Sequence, residues 1–137
     1  MKERPQEFML RLRDALTASW DKQTAYLAVE EIGNLALGQC YPTSRVVQHY
    51  YPEMEIIKGL VWNGKSHEVH FWNGLCIGDE WYHFDLTWQQ FPPTSVVQEF
   101  AVIKREDLSD SEGTLKRCEL LLKRVDDRLN AGGSATI

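Results

Sequence analysis

The chain lacks any apolar run long enough to cross a bilayer, so its sequence predicts no transmembrane segment. The first residues, Met1 to Pro5, are mostly charged and no apolar stretch follows them, which is atypical of a signal peptide. No long basic run is present either, and the formal net charge is −5. This acidic balance argues against nucleic acid and against an anionic membrane surface as the main partner.

Cysteine is scarce as well. The chain has 3 cysteines, an odd number with no paired spacing. Such usage favours free thiols in a reducing, cytoplasmic setting over a disulfide framework. We expect two of them, Cys76 in a strand and Cys118 on an apolar helix face, to be small buried core residues.

Internal repeats and low-complexity linkers are also missing, so no domain boundary is predicted within the chain. Its 137 residues, of which 43% are hydrophobic, suffice for one sizeable core, and we expect a single domain over residues 1–137. The small residues of 130–137 are expected to form a mobile tail. The pattern around residues 20–34 is weaker, with Thr24 to Glu31 as a candidate short helix.

Three helices are predicted from apolar residues that recur every three or four positions. The first covers Pro5 to Ala18. The second begins close to Cys40, because Pro42 is tolerated only in the first turn of a helix, and it ends at Tyr50. The third covers Thr114 to Leu129. Its apolar stripe consists of Leu115, Cys118, Leu122, Val125 and Leu129.

The pattern changes from helical to extended after Met54. Strands are predicted over Met54 to Trp62, Glu68 to Cys76 and Trp81 to Thr87, with turn residues between them. These three form an antiparallel meander, and Ser95 to Lys104 adds a fourth, edge-like strand. The order of elements predicts an α+β fold in which a cysteine-bearing helix packs on an antiparallel sheet, with N- and C-terminal helices.

Cys40 lies where the second helix is predicted to start. A thiol at this position feels the positive end of the helix dipole and the free backbone N–H groups, and both favour the thiolate. The same N–H groups, together with the neighbouring amide of Gln39, are suited to hold a developing oxyanion. Cys40 is therefore a candidate nucleophile, which requires a base and an orienting group for that base.

His70 is predicted in the middle of the second strand and Asp85 in the middle of the third. Burying either group unpaired is costly, and adjacent antiparallel strands bring such groups within hydrogen-bonding reach. His83 alternates onto the same face as Asp85, so the carboxylate has two candidate partners. A zinc set that adds His67 and Cys40 is a minor alternative, because residues three apart on a strand face opposite sides.

These residues occur in motifs that resemble the transglutaminase-like branch of the papain-like cysteine enzymes. The motifs are Gly38-x-Cys40, His70-x-Trp72 and Trp81-x-x-x-Asp85-x-Thr87, in the chain order of that superfamily. A closer resemblance, from about Trp20 to Phe91, is to the small bacterial YunG-like family. The stretches that carry it are Asn34-Leu35-Ala36-Leu37-Gly38-Gln39-Cys40, Val46-Val47-Gln48, His70-Phe71-Trp72-Asn73 and Asp85-Leu86-Thr87-x-x-Gln90-Phe91.

The resemblance implies a papain-like or transglutaminase-like fold with a Cys-His-Asp triad. Cys40 would be the nucleophile, His70 the general base and acid, and Asp85 the residue that orients His70. Gln39 is the candidate oxyanion donor. The implied activity is that of a thiol hydrolase or acyl transferase, which acts on an amide or peptide bond through a thioester intermediate.

The expected substrate is a peptide or a small amide-containing molecule, and Trp72, Asn73 and Trp88 are its predicted contacts. No cofactor and no bound metal are expected, and the oligomeric state stays open. Two other classes of function compete with the enzyme. One is a catalytically inactive binding module on the same fold, and the other is a zinc-binding protein.

Overall fold

The computed structural model describes residues 5–25 and 36–134. Within these ranges the protein has three α-helices and one four-stranded antiparallel sheet, so the predicted α+β class is confirmed. The helices are α1 (Pro5–Ser19), α2 (Cys40–Tyr50) and α3 (Glu112–Ser134). The strands are β1 (Glu55–Trp62), β2 (His67–Ile77), β3 (Glu80–Phe84) and β4 (Val96–Ile103).

The sheet has the order β3-β2-β1-β4, and every neighbouring pair of strands is antiparallel. The predicted three-strand meander is therefore confirmed, as is the edge position of β4. Gly59 on β1 lies opposite His70 on β2. A Cβ atom at Gly59 would come within 2.2 Å of the indole of Trp72, so this strand position accommodates only glycine without a shift of that ring.

The helix boundaries follow local signals. α2 begins at Cys40, as predicted, and the ring of Pro42 occupies its first turn, where no intrahelical donor is needed. α3 begins two residues earlier than predicted, because the hydroxyl of Ser111 accepts a hydrogen bond from the Thr114 N–H at 3.2 Å and caps the helix. α3 also continues past Leu129, through residues 130–134 of the predicted tail.

The candidate short helix over Thr24 to Glu31 is only partly testable. Thr24 and Ala25 are not helical, and residues 26–31 lie outside the described residues. Thr24 instead belongs to a turn, in which its backbone N–H donates to the Asp21 carbonyl oxygen at 3.2 Å. This turn packs against the start of α2 through hydrogen bonds described below.

The three helices share one hydrophobic core, to which α1 contributes Leu12, α2 contributes Val47, and α3 contributes Leu121 and Val125. The predicted stripe of α3 is wrong at its first position, because Leu115 is 42% exposed. The first turns of α3 border open cavities, and only its later turns face the core. In the described part of the chain, no helix combines the length and apolarity that a membrane span requires.

β3 is shorter than predicted and ends at Phe84 instead of Thr87. Directly after it, the carboxylate of Asp85 accepts hydrogen bonds from the Thr87 N–H at 3.0 Å and from the Thr87 hydroxyl at 3.2 Å. Local bonds of this kind compete with the ladder of a sheet and end the strand. The mid-strand position predicted for Asp85 is therefore wrong. The chain then makes a 3-10 turn at Trp88–Gln90 before it reaches β4.

Candidate active site

Cys40 is the first residue of α2, and its side chain is partly buried. The helix makes its first backbone hydrogen bond from the Thr43 N–H to the Gln39 carbonyl oxygen, at 3.0 Å. The N–H groups of Cys40 and Tyr41 therefore have no acceptor within the helix, and Pro42 has no N–H. The thiol stands beside backbone donors at the positive end of the helix dipole, as the sequence predicts.

His70 on β2 is completely buried, and its imidazole is paired with Asp85. The distance from His70 Nε2 to Asp85 Oδ2 is 2.6 Å. The other carboxylate oxygen is the one that binds Thr87. Asp85 therefore lies in a tight local turn when it binds the His70 ring. The orientation of its carboxylate is set by Thr87 and not by the register of the sheet.

The pKa of His70 reports a balance of two effects. Burial of the ring lowers this pKa, whereas hydrogen bonds to Asp85 and to Cys40, together with the charges of these two side chains, raise it to about 9. Both contacts therefore favour the protonated form of the ring, against the effect of burial. His70 is the residue that the structure places in contact with both other members of the predicted triad.

His83 does not compete for Asp85. Its Nδ1 atom accepts a hydrogen bond from the indole Nε1–H of Trp72 at 2.9 Å, and its side chain is exposed. The choice that the sequence left open, between His70 and His83 as partner of Asp85, is therefore settled in favour of His70. The predicted zinc set, which includes His67 and Cys40, is not assembled. Within the described ranges, no three His, Cys, Asp or Glu side chains converge on a candidate metal position.

Aromatic rings enclose the imidazole of His70. Trp72 stacks on it at a centroid distance of 5.5 Å, Phe91 meets it edge-on at 4.7 Å and Trp88 meets it edge-on at 6.0 Å. Rings at these distances exclude water from the imidazole and strengthen its electrostatic contacts. Trp72 and Trp88 are thus part of the packing around the His70 imidazole.

Cys40 lines a cavity of about 570 Å³ between the sheet and the segment that leads into α3. Its lining comprises Cys40, Tyr41, Lys58, Val69, Phe71, Ile103, Asp107, Leu108, Ser109, Asp110, Ser111 and Thr114. The wall beside α2 is held in place by Asp110, which accepts hydrogen bonds from the Tyr41 hydroxyl and from Arg45, the latter at 3.1 Å. The Tyr41 ring packs edge-on against Phe71 at 4.8 Å.

The predicted substrate contacts are not part of this lining. Trp72 and Trp88 line a second cavity, of about 290 Å³, together with Asp85. Asn73 is buried, and its amide donates a hydrogen bond to the Ser44 carbonyl oxygen at 2.9 Å, which ties β2 to α2. The structure therefore does not bring these three side chains to the cavity of Cys40, and Asn73 has a structural role.

Gln39 is buried beside Cys40, but its amide turns to the loop after α1. The amide nitrogen donates to the Asp21 carbonyl oxygen at 2.8 Å, and the amide oxygen accepts from the Thr24 hydroxyl at 2.7 Å. These bonds hold the turn at residues 21–24 against the start of α2. Both ends of the Gln39 amide are therefore engaged away from Cys40, which does not fit the predicted role of Gln39 as an oxyanion donor.

Gln90 is a site residue that the sequence reasoning missed. Its amide nitrogen lies 3.1 Å from His70 Nδ1, the ring nitrogen opposite the one bound to Asp85. The available signal was its place in the stretch Asp85-Leu86-Thr87-x-x-Gln90-Phe91. Because the predicted strand ends at Thr87 and no element is predicted for Gln90, the sequence gives no indication that a 3-10 turn returns Gln90 to His70.

The remaining cysteines differ from Cys40 in their surroundings. Cys76 is exposed, so its predicted place in the core is wrong; it lies near the end of β2, where its thiol contacts the Gly78 carbonyl oxygen at 3.3 Å. Cys118 on α3 is partly buried, and burial together with the charge of Asp110 raises its pKa to about 11. Neither thiol is paired with a histidine among the contacts found for it.

The fold and the site define a class of α+β protein in which a cysteine at a helix N-terminus meets a histidine–aspartate pair beside an antiparallel sheet. Within that class the chain belongs to the YunG family, because the family model described as YunG protein matches residues 9–130. The resemblance to YunG-like proteins predicted from the sequence is thereby confirmed. The chain matches no curated protein and no solved structure.

Proposed function

We propose that this protein is a cysteine-dependent acyl-transfer enzyme with a papain-like or transglutaminase-like arrangement of Cys40, His70 and Asp85. The observation that carries the proposal is the position of His70. Its imidazole is hydrogen-bonded to Asp85 and also interacts with Cys40, in a buried site. A nucleophile, a base and a group that orients the base are the three parts that thiol catalysis requires.

In the proposed mechanism, the Cys40 sulfur attacks the carbonyl carbon of an amide, and the thiol proton goes to His70. Because Nε2 is bound to Asp85, Nδ1 is the nitrogen that exchanges this proton. His70 then protonates the leaving amine as the C–N bond breaks, and a thioester remains on Cys40. Attack by water, or by an acceptor amine, with His70 as base releases the acyl group and restores the thiol.

The negative oxygen of each tetrahedral intermediate needs preorganised donors. The N–H groups of Cys40 and Tyr41 are suited to this role, since they lie at the start of α2 and have no acceptor within the helix. This assignment replaces Gln39, whose amide is engaged with Asp21 and Thr24.

The cavity beside Cys40 supports a peptide or a small amide as substrate. Its wall on the sheet carries apolar side chains, including Val69 and Phe71, with Lys58 as a cation among them. The opposite wall carries the hydroxyl groups of Ser109 and Ser111. A reducing, cytoplasmic setting is part of the proposal, because all three cysteines are free.

The test is to compare the alkylation of cysteines within one chain. Cys76 is the more exposed thiol and serves as an internal control for Cys40. If Cys40 is activated, iodoacetamide should modify it at pH 7 about tenfold faster than Cys76, as judged by peptide mass spectrometry. His70→Ala should remove this excess and leave the rate at Cys76 unchanged.

A second measurement tests acyl transfer itself. Incubation with p-nitrophenyl acetate should release a burst of p-nitrophenolate and leave an acetyl group on Cys40, and Cys40→Ala should show neither. Circular dichroism of each variant controls for loss of fold. If Cys40 reacts no faster than Cys76 and no acyl adduct forms, the chain is better described as a binding module on the same fold.

A further inference from the structure

Both ring nitrogens of His70 have partners. Nε2 lies 2.6 Å from Asp85, and Nδ1 lies 3.1 Å from the amide nitrogen of Gln90. A carboxylate only accepts hydrogen bonds, so Nε2 carries a proton, and Nδ1 is an acceptor whenever the ring is neutral. Because Asp85 engages Nε2, Nδ1 is the nitrogen available to Cys40, and the Gln90 amide lies at that same atom.

The backbone holds Gln90 at this place. Gln90 is the last residue of the 3-10 turn, and its N–H donates to the Thr87 carbonyl oxygen at 3.0 Å. Thr87 in turn binds the carboxylate of Asp85 through its N–H and its hydroxyl. One short segment therefore presents a partner to each side of the His70 ring.

We propose that Gln90 is a positioning residue that shares His70 Nδ1 with the Cys40 thiol and favours the neutral form of the imidazole. The inference rests on the proposed function and deepens it. An amide N–H can donate to Nδ1 only while that atom carries no proton, whereas two N–H groups repel each other when the ring is protonated. Gln90 thus opposes the transfer of the Cys40 proton until its amide group turns away.

Few charged groups contact His70, so the effect of Gln90 on the titration of its ring can be measured. Among the described residues, the titrating groups that contact the ring are Asp85 after β3 and Cys40 at the start of α2. The other rings packed on it, Trp72, Trp88 and Phe91, are uncharged. A substitution of Gln90 therefore changes the titration of His70 while the two titrating groups that contact the ring, Asp85 and Cys40, stay the same.

The test is an NMR titration of the His70 ring in Cys40→Ala protein, where no acyl transfer is possible. Gln90→Ala removes the donor that favours the neutral ring. The titration midpoint of His70 should therefore rise by about 0.5 to 1 pH unit, which is the effect of one hydrogen bond. Gln90→Glu should raise it further, because a carboxylate accepts from the protonated Nδ1. Gln89→Ala, at the exposed neighbouring position, is the matched control and should leave the midpoint unchanged.

With Cys40 present, alkylation supplies a second readout. Gln90→Ala should speed the reaction of Cys40 with iodoacetamide about threefold or more at pH 7, while Cys76 keeps its rate. The proposal is overturned if Gln90→Ala lowers the His70 midpoint or leaves it in place, or if Gln90→Glu does not exceed Gln90→Ala. Absence of enhanced Cys40 alkylation in every variant, with the His70 shifts present, would refute the proposed function and not the role of Gln90.

Discussion

Removing the charge of Asp85 should change how stability depends on pH. Burial lowers the pKa of His70, but the hydrogen bonds to Asp85 and Cys40 outweigh burial and raise this pKa from its ordinary value of 6.5 to about 9. A group with a raised folded-state pKa stabilises the fold fully below its unfolded pKa, and this contribution is lost as the pH rises through the folded pKa. The sensitive window is therefore pH 6.5 to about 9.

The magnitude follows from the same linkage. At about 1.36 kcal/mol per pKa unit, the raised pKa of His70 corresponds to about 3 kcal/mol in the free energy of unfolding between the two ends of the window. Asp85→Asn keeps the shape of the side chain and removes its charge. We expect the variant to lose most of that stabilisation at pH 6 and to approach the wild-type protein near pH 9.5.

The assay is urea unfolding followed by tryptophan fluorescence at pH 6, 7.5 and 9.5. Asp79→Asn, in the exposed turn before β3, is the matched control for loss of one carboxylate and should keep the wild-type pH dependence. If Asp85→Asn is destabilised by the same amount at pH 6 and pH 9.5, the charge of Asp85 does not support a protonated His70. The explanation of the raised pKa would then be refuted.

Two further predictions concern the packing that supports the site. Gly59→Ala should cost about 1–3 kcal/mol of stability and broaden the NMR signals of His70, because the new Cβ would lie 2.2 Å from the Trp72 ring that stacks on the imidazole; an unchanged melting temperature would contradict this packing. Leu121→Ala should cost about 2–5 kcal/mol in urea unfolding because the side chain is fully buried, whereas Leu115→Ala should stay within about 0.5 kcal/mol, and equal losses would count against the orientation of α3.

The helices and strands were largely predictable because their signals are local. Pro42 limits where α2 can start, and the change from helical to alternating patterns marks β1 and β2. Two features depend on more distant or more specific contacts. The core-facing side of α3 is set by how it packs on α1 and α2, so the predicted stripe included the exposed Leu115. The end of β3 depends on hydrogen bonds from Thr87 to the Asp85 carboxylate, which a pattern of apolar residues does not reveal.

The members of the candidate triad were predictable for a different reason. Cys40 stands out at a helix start, and His70 stands out because a polar group in a buried strand needs a partner, for which Asp85 is the nearby carboxylate. The sequence leaves His83 as a second candidate partner, since His83 alternates onto the same strand face as Asp85. That choice is made by Trp72, whose indole N–H binds His83 and whose ring stacks on His70.

The least predictable part of the site is the segment from Asp85 to Phe91. Asp85, Trp88, Gln90 and Phe91 all contact His70, although the segment belongs to no long helix or strand. Its shape is set by side-chain bonds of Thr87 and by one 3-10 turn. Because this segment makes these contacts outside the sheet ladder, substitutions within it can change the protonation of His70 while leaving the sheet intact. The segment therefore offers positions at which the protonation of His70 can be varied without a change in the helix that carries Cys40.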